Sequence, residues 1–405
     1  MAAYDIKDEL ELRKLNVEDI DQYNELLRYV FQVTQSDITS SGYEDEAEII
    51  KEKRPILSKA DVYGWFKDED LVSQLAIYPC TINVHGVMMP MGGVTGVGTY
   101  PEYAGMGLVS GLIKKALETM RETGQYISYL YPYSIPLYRN KGWEIISDVM
   151  EYTIKDTQLP STVEVLGHVE RLNVDDPDVL TLYNDFVVKT HGAMLRDTLA
   201  WEEYWRWEDE AERIAAVYYD EQGEARGLCF YWLNNEVFYI KEMIYLNEDA
   251  RRGLWNFISA HFSMIESVKG KNYSGEAIAF GFDDSDIVET IQPYYMARIV
   301  DVDKFLESYP FTNRKGYLSL DIKDNAAPWN NGIHTIRFDD SKVEITNDIS
   351  DHLVSMDIRT LTTLLMGYRS VSQLVRAGRI IGTKDSLKLL NSYAINEQAY
   401  FSDYF

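Results

Sequence analysis

Residues 94–143 read VTGVGTYPEYAGMGLVSGLIKKALETMRETGQYISYLYPYSIPLYRNKGW. The β-rich run 94–99 leads to a glycine turn, Ala104-Gly105-Met106-Gly107. The apolar spacing that follows predicts an amphipathic helix over residues 108–122. Strand, glycine turn and helix N-terminus in that order aim backbone N–H groups at an anion, a natural seat for a pyrophosphate. A second strand is expected over 126–130, and Tyr138 follows in the segment PLYRNKGW. A phosphate seat with a tyrosine nearby suggests a nucleotide-linked acyl donor whose leaving group needs a proton. A glycine loop before a helix is common, so its weight comes from context. Gly93, Gly96 and Gly98 make the preceding strand small enough for a ligand to approach the backbone closely.

At 405 residues the chain is too long for one hydrophobic core, so two or three domains are expected. Hydrophobic residues at 46% and charged residues at 26% fit an ordinary globular protein. No apolar run approaches the roughly 20 residues that span a bilayer, and the first residues lack the pattern of a signal peptide. With Cys80 and Cys229 as the only cysteines, neither a disulfide framework nor a cysteine metal cluster is expected, and a reducing cytoplasm fits best. The formal charge of −26 repels nucleic acid and anionic membrane. It suits a cationic substrate, but surface solubility is the commoner reason for such a balance, so charge alone identifies no substrate.

Periodicity divides the chain into three units, expected over residues 1–156, 157–289 and 290–405. The first alternates helices (17–34; 43–53, or an acidic loop) with strands (61–67, 71–79 and 84–89). The second repeats that strand–strand–strand–helix order, with strands over 215–220, 225–233 and 236–245 and a helix over 250–268. Its strand-to-helix junction, LNEDARRGLWNFI, lacks the paired glycines, so it reads as a degenerate copy without a phosphate seat. The last unit begins with a strand and short helix over 296–306. Antiparallel strands (317–322, 332–338, 341–346) and helices (355–367, 370–377, 385–393) follow. The fold class expected is therefore α/β in two units followed by an α+β unit.

The segment 94–109 resembles the acyl-CoA-binding motif of the GNAT acetyltransferase superfamily. Gly107 matches the motif's central glycine, whereas Ala104 stands where that motif carries Arg or Gln, and Val109 replaces a small residue. The whole chain is similar to the enhanced-intracellular-survival (Eis-type) N-acetyltransferases. GVGTYPEYAGMGL, PLYRNKGW, ARIVDVDKFLE and the final GTKDSLKLLNSYAINEQAYFSDYF carry the match. The resemblance implies tandem GNAT folds with mixed central sheets and a sterol-carrier-protein-like C-terminal domain. It implies acetyl-CoA as acyl donor, no metal, and an amine acceptor such as an aminoglycoside or polyamine. It also implies a homo-oligomer, a hexamer in the family. By the same resemblance Tyr138 is the general acid, and the terminal carboxylate of Phe405 is the general base. The donor is expected on Val97, Thr99, Ala104, Gly105, Met106, Gly107 and Leu108. A phenol is protonated at neutral pH and can donate to a thiolate. A carboxylate of ordinary pKa about 3.5 is a weak base for an ammonium, so it orients the cation, works through water or gains basicity by desolvation.

Ala104 motivates a different class of protein, a non-catalytic acyl-CoA- or lipid-binding protein that uses the C-terminal domain. So does Val33, which stands where the family's pocket would carry an acid. Asp37, Glu44 and Asp45 are possible replacements for that acid. An aminoacyl transferase using charged tRNA is disfavoured by the net charge. Trp201, Tyr204 and Trp205 could hold a cation, but helical spacing favours core. The six histidines form no metal-ligand spacing, and the two cysteines are expected to be buried.

Overall fold

The computed structural model describes residues 9–40, 56–206, 213–275, 277–312, 315–339 and 342–405. In the first stretch β1 (Leu10–Lys14), α1 (Ile20–Phe31) and α2 (Gln35–Ser40) precede β2 (Asp61–Lys67), β3 (Asp70–Val84) and β4 (Val87–Thr99). Then come α3 (Leu108–Glu122), β5 (Ile127–Leu130), α4 (Ile135–Arg139) and β6 (Glu144–Ile145). The middle of the chain holds β7 (Asp148–Lys155), β8 (His168–Leu172), α5 (Pro177–Val187), β9 (Met194–Leu195), α6 (Thr198–Trp205) and β10 (Ile214–Tyr219). It continues with β11 (Ala225–Asn234), β12 (Val237–Tyr245), α7 (Glu248–Ser259), β13 (Ser267–Asn272) and β14 (Val288–Pro293). Last come β15 (Met296–Ile299), α8 (Val302–Ser308), β16 (Tyr317–Lys323), β17 (Gly332–Asp339), β18 (Lys342–Thr346) and β19 (Leu353–Asp357). The final elements are α9 (Ile358–Leu365), α10 (Val371–Arg376), β20 (Ile381–Gly382) and α11 (Lys384–Tyr393).

Three sheets result, the tandem mixed sheets and the α+β unit that the sequence leads one to expect. The first runs β1-β2-β3-β4-β5-β15-β6, with β9 added to β3. The second runs β14-β7-β13-β12-β11-β10-β8, and the third β18-β17-β16-β19-β20. Sheet membership does not follow chain order. β7, next to β6 in sequence, lies in the second sheet, and β15 returns to the first. The two crossings pair with each other: Ile146 N–H donates to the Tyr295 carbonyl (3.0 Å) and Tyr294 N–H to the Ser147 carbonyl (2.9 Å). One antiparallel ladder therefore runs unbroken from Glu144 opposite Ala297 to Thr153 opposite Val288, spanning both sheets. Each crossing keeps its backbone groups paired, which a buried crossing requires.

Two expected helices are corrected. The helix expected over 250–268 ends at Ser259, and Ser267–Asn272 is a strand. The apolar positions Ala250, Leu254, Trp255 and Ile258 keep helical spacing, after which SVKGKN sends Val268 inward and Lys269 and Lys271 outward with the period of a strand. The helix expected over 355–367 begins only at Ile358, because the Asp357 carboxylate caps it by accepting from Thr360 N–H at 2.8 Å, while Leu353–Asp357 joins the third sheet. The possible helix over 43–53 lies outside the described residues.

The third unit is packed against the first. One apolar core joins Met91, Ile127 and Tyr129 to Leu320, Leu361 and Leu364. Thr362 Oγ1 accepts from Ile299 N–H and Thr363 Oγ1 donates to the Ile145 carbonyl, fastening α9 to β15 and β6. Among the described residues no helix is long and apolar enough to cross a membrane.

Candidate functional site

β4 and β5 are parallel and pair only at Met91–Ile127, Gly92–Ser128 and Gly93–Tyr129. β4 then runs on to Thr99 with no β5 partner, so the two strands part at Gly93. On the side of β3, Gln74 faces Gly98 and Ala76 faces Thr95, which leaves one extra residue in β4. That bulge falls where Gly96 takes φ +60° and bends the strand away from its neighbour. Val97 and Thr99 lie on the unpaired stretch, whose N–H groups on the β5 side have no strand partner. The Thr99 hydroxyl is tied to Ser73 Oγ at 2.7 Å on the β3 side.

A short 3-10 turn at Pro101–Tyr103 brings the chain from β4 to the glycine turn. Gly105 (φ +79°) and Gly107 (φ +77°) both need the left-handed region, which glycine enters at no steric cost. Gly107 is the N-cap of α3; it offers no capping side chain, and no acidic residue stands in the first turn. The first N–H groups of α3 therefore point outward with the positive end of the helix dipole. The equivalent end of α7 is closed. Asn247 caps it by accepting from Ala250 N–H at 2.8 Å, and Glu248 and Asp249 fill its first turn. Two carboxylates there repel a phosphate, so of these two helix starts only that of α3 lacks both a side-chain cap and acidic neighbours.

Tyr138 sits on α4, 5% exposed, within the apolar cluster that holds Val94, Leu112, Leu117, Leu130 and Trp143. Its hydroxyl makes no hydrogen bond among the described residues. Burial pushes the phenol up to about 12. Val94 and Gly92 face α3 and this cluster, a Cβ on Gly92 falling against Met120. Gly93, between them, faces the opposite side of the sheet. There a Cβ would meet the Phe405 ring at 2.8 Å. Tyr138 and the C-terminal residue thus stand on opposite faces of β4, beside the point where it leaves β5.

The tail reaches that point through a buried polar network. Arg196 Nε donates to Asp403 Oδ1 (2.6 Å), and its terminal nitrogen reaches Glu242 Oε2 (3.0 Å) and Ser402 Oγ (3.1 Å). Tyr204 and Tyr400 donate to the two oxygens of Glu242 at 2.8 and 2.7 Å, and the Ser402 hydroxyl also bonds it. Burial opposes ionisation of Glu242, yet Arg196 and these hydroxyls together hold it below the usual carboxylate range. For Asp403 burial wins and pushes the carboxyl up despite Arg196. Glu242 occupies β12 just past Ile240, where β12 parts from its parallel partner β13 after the pair Ile240–Gly270. The second unit therefore repeats the opening of the first, and the tail residues fill it.

Beyond Gly93 a cavity of about 530 Å³ is lined by Tyr23, Tyr78, Thr95, Gly96, Glu203 and Phe405, among others. Glu203 is held in a two-point pair by Arg206 (2.6 and 3.1 Å) and faces the Tyr78 hydroxyl at 3.5 Å. The sequence did not single out Glu203, although it lies in the WEEYWRWEDE run; its neighbours' aromatic spacing hid it. Tyr204 and Trp205 are core, packed on Phe230 as their spacing implies. The cations on these rings are the chain's own: the Arg196 guanidinium lies 3.6 Å from the Tyr204 ring centre and 4.6 Å from that of Trp201, and the Lys241 ammonium lies 4.4 Å from Tyr204 and 5.4 Å from Trp205. Val33 and Asp37 also line the cavity, with the Asp37 carboxylate accepting from Thr34 N–H and Oγ1. Glu44 and Asp45 lie outside the described residues. Cys229 is buried, Cys80 partly so, and burial pushes both thiols up. His85 and His191 stack at 3.5 Å, and no group able to hold a metal is found among the described residues.

Residues 11–146 match an acetyltransferase (GNAT) domain family, residues 192–299 a second acetyltransferase (GNAT) domain family, and residues 302–402 a sterol carrier protein domain family. A protein from Enterococcus faecalis, described as a probable N-acyltransferase, is 30% identical over 98% of this chain and 99% of its own, with a TM-score of 0.89. A GCN5-related N-acetyltransferase from Anabaena variabilis (23% identity, 98% and 100% covered, TM-score 0.85) shares the fold. So does Eis1 from Mycobacterium abscessus (16% identity, 98% and 100% covered, TM-score 0.81). No curated protein matches the chain. The chain belongs to the GNAT acetyltransferases, in an architecture of two GNAT units followed by a sterol carrier protein domain. It is an acyltransferase, with acetyl-CoA as the acyl donor that the GNAT fold takes.

Proposed function

We propose that this chain is an Eis-type N-acetyltransferase that moves an acetyl group from acetyl-CoA to an amine of a cationic acceptor, by direct attack on the thioester. The observation that carries this reading is the parting of β4 from β5 at Gly93, with the open glycine turn and Tyr138 on one face and Phe405 with the Glu203-lined cavity on the other. A thioester passing through that opening would offer its sulfur to one side and its carbonyl carbon to the other. The turn at Ala104, Gly105, Met106, Gly107 and Leu108 holds the pyrophosphate through backbone N–H groups, so the lack of a cationic side chain at Ala104 weakens the grip without removing it. Unpaired N–H groups at Val97 and Thr99 steady the oxyanion. The acceptor nitrogen bonds to the carbonyl carbon and the C–S bond breaks. The nitrogen's proton passes to the Phe405 carboxylate, directly or through water, and Tyr138 protonates the departing thiolate.

The terminal carboxylate supplies the attraction for the amine's charge, and Glu203, held by Arg206, forms part of the same cavity wall. Arg196 holds the tail through Asp403, which gives the second unit a positioning role. On this reading residues 1–156, 157–289 and 290–405 are the catalytic GNAT unit, the degenerate GNAT unit and the sterol-carrier-like unit of a cytoplasmic homo-oligomer. Light scattering reads the assembly. Thiol release from acetyl-CoA over a panel of amines tests the chemistry. Tyr138→Phe and deletion of Phe405 should each lower kcat by at least about tenfold, a cautious bound for acid–base catalysis. Full rates in both variants would refute the assignment.

A further inference from the structure

A second cavity, of about 570 Å³, lies on the second sheet and shares Glu203 and Tyr404 with the first. Its volume is in the range of small-molecule sites, about 300–1,000 Å³. Strand register builds one wall. Trp232 faces Tyr239, Tyr239 faces Lys269, and Lys269 faces Thr153, a rung across β11, β12, β13 and β7. Residues directly opposite one another in paired strands share a face, so these four side chains project together. Lys271 and Glu151 form the next rung on that face. The Trp232 and Tyr239 rings are stacked, 5.3 Å apart and 9° from parallel, and make a flat apolar panel.

Lys241, at the bulge in β12, also lines the cavity, so three ammonium groups converge in a chain of net charge −26. The Lys241 ammonium lies 4.4 Å from the Tyr204 ring centre and near Asp403, whereas the compensation of Lys269 and Lys271 is thin. Glu151 approaches Lys271 only to 4.0 Å, and Glu203 is already taken by Arg206. Lys269 has no ion-pair partner among the described residues. Like charges on neighbouring positions of a sheet repel, and a bound anion would relieve them.

We propose that this cavity is an anion subsite, and that the acceptor is amphoteric. Its amine enters the Glu203 and Phe405 cavity, an apolar or aromatic body lies on Trp232 and Tyr239, and an oxyanion, carboxylate or phosphate, is held by Lys241, Lys269 and Lys271. For the amine end this rests on the acetyltransfer reading above. For the far end it departs from a polycation such as an aminoglycoside, whose second charge the lysines would repel.

The test uses matched straight-chain acceptors of graded length, ω-amino carboxylates against α,ω-diamines, with the full chain and a Lys269→Gln/Lys271→Gln variant. The wild type should favour the carboxylate series at least tenfold in kcat/KM at the best length. The variant should lose that preference while acetylating propylamine at the wild-type rate. A preference for diamines, or one unchanged in the variant, overturns the proposal. Titration with 4-phenylbutyrate, read by Trp232 fluorescence, is independent of turnover. Saturable binding lost in the variant supports the subsite, and no binding to the wild type overturns it. Should no amine be acetylated at all, the acetyltransfer reading fails while this titration still decides the anion subsite.

Discussion

At the scale of single residues, the site depends on which face of β4 each group occupies. The Tyr138 phenol, pushed up to about 12 by burial, stays protonated across the neutral range. The alkaline limb of kcat that its ionisation causes should therefore begin above the ordinary tyrosine value of about 10, and Tyr138→Phe should lower the plateau and remove that limb. A limb that persists unchanged in the variant would contradict this. Gly93 is the residue on which the C-terminal ring rests. A methyl group there would stand 2.8 and 2.9 Å from two Phe405 ring carbons, so Gly93→Ala must displace the ring. We expect that substitution to cut kcat at least as far as deletion of Phe405 does, at a stability cost of about 1–3 kcal/mol. Thermal melting and steady-state rates measured on the same preparation separate the two effects.

At the scale of elements, two parallel strand pairs open in the same way and meet different fates. β4 leaves β5 beside an uncapped helix, α3; β12 leaves β13 beside α7, capped by Asn247 and carrying Glu248 and Asp249. Addition of CoA should therefore slow amide hydrogen exchange over residues 104–112 and leave residues 246–252 unchanged. Protection at both helices would mean that the second unit also binds phosphate. The glycine turn and α3 were legible in the sequence, because helical periodicity and the Ala104–Gly107 turn signals agreed with each other. β13 was hidden because SVKGKN contributes little apolar surface and follows a helix without a strong stop. Glu203 was hidden because a carboxylate on an amphipathic helix gives no sign of the cavity it faces.

At the scale of the whole molecule, the units are bound by the ladder at residues 144–147 and 294–297 and by the tail. Arg196→Met would strand Asp403 and Glu242, and breaking a buried pair typically costs about 3–5 kcal/mol. A positioning role makes a sharper prediction: the loss of kcat from Arg196→Met should vanish once Phe405 is deleted, while the loss of melting temperature remains. Equal rate losses in both backgrounds would reduce Arg196 to a stabilising residue. The stacked pair His85 and His191 joins the first two units to the third, with their Nε2 atoms at the Leu365 (2.9 Å) and Met366 (3.2 Å) carbonyls. Burial, and then the neighbouring His85, lower His191 from 6.5 to about 3. Below the ordinary value the unfolded chain takes up a proton that the folded chain refuses, so stability falls as pH falls through this window. At pH 5 this single group costs on the order of 2 kcal/mol. His191→Gln should flatten the decline in melting temperature between pH 7 and pH 5, and an unchanged slope would remove His191 as its cause.

The sequence by itself determined the class of the fold and the glycine turn that opens α3, since both are local: periodicity and glycine turns act over a few residues and need no distant partner. The tertiary structure alone decided the exchange of β7 and β15, the closure of the second strand opening by Tyr400, Ser402 and Asp403, and the placement of Phe405 against Gly93. Those contacts join residues more than a hundred positions apart, and no local pattern encodes which buried charge will find which partner once the units close on one another.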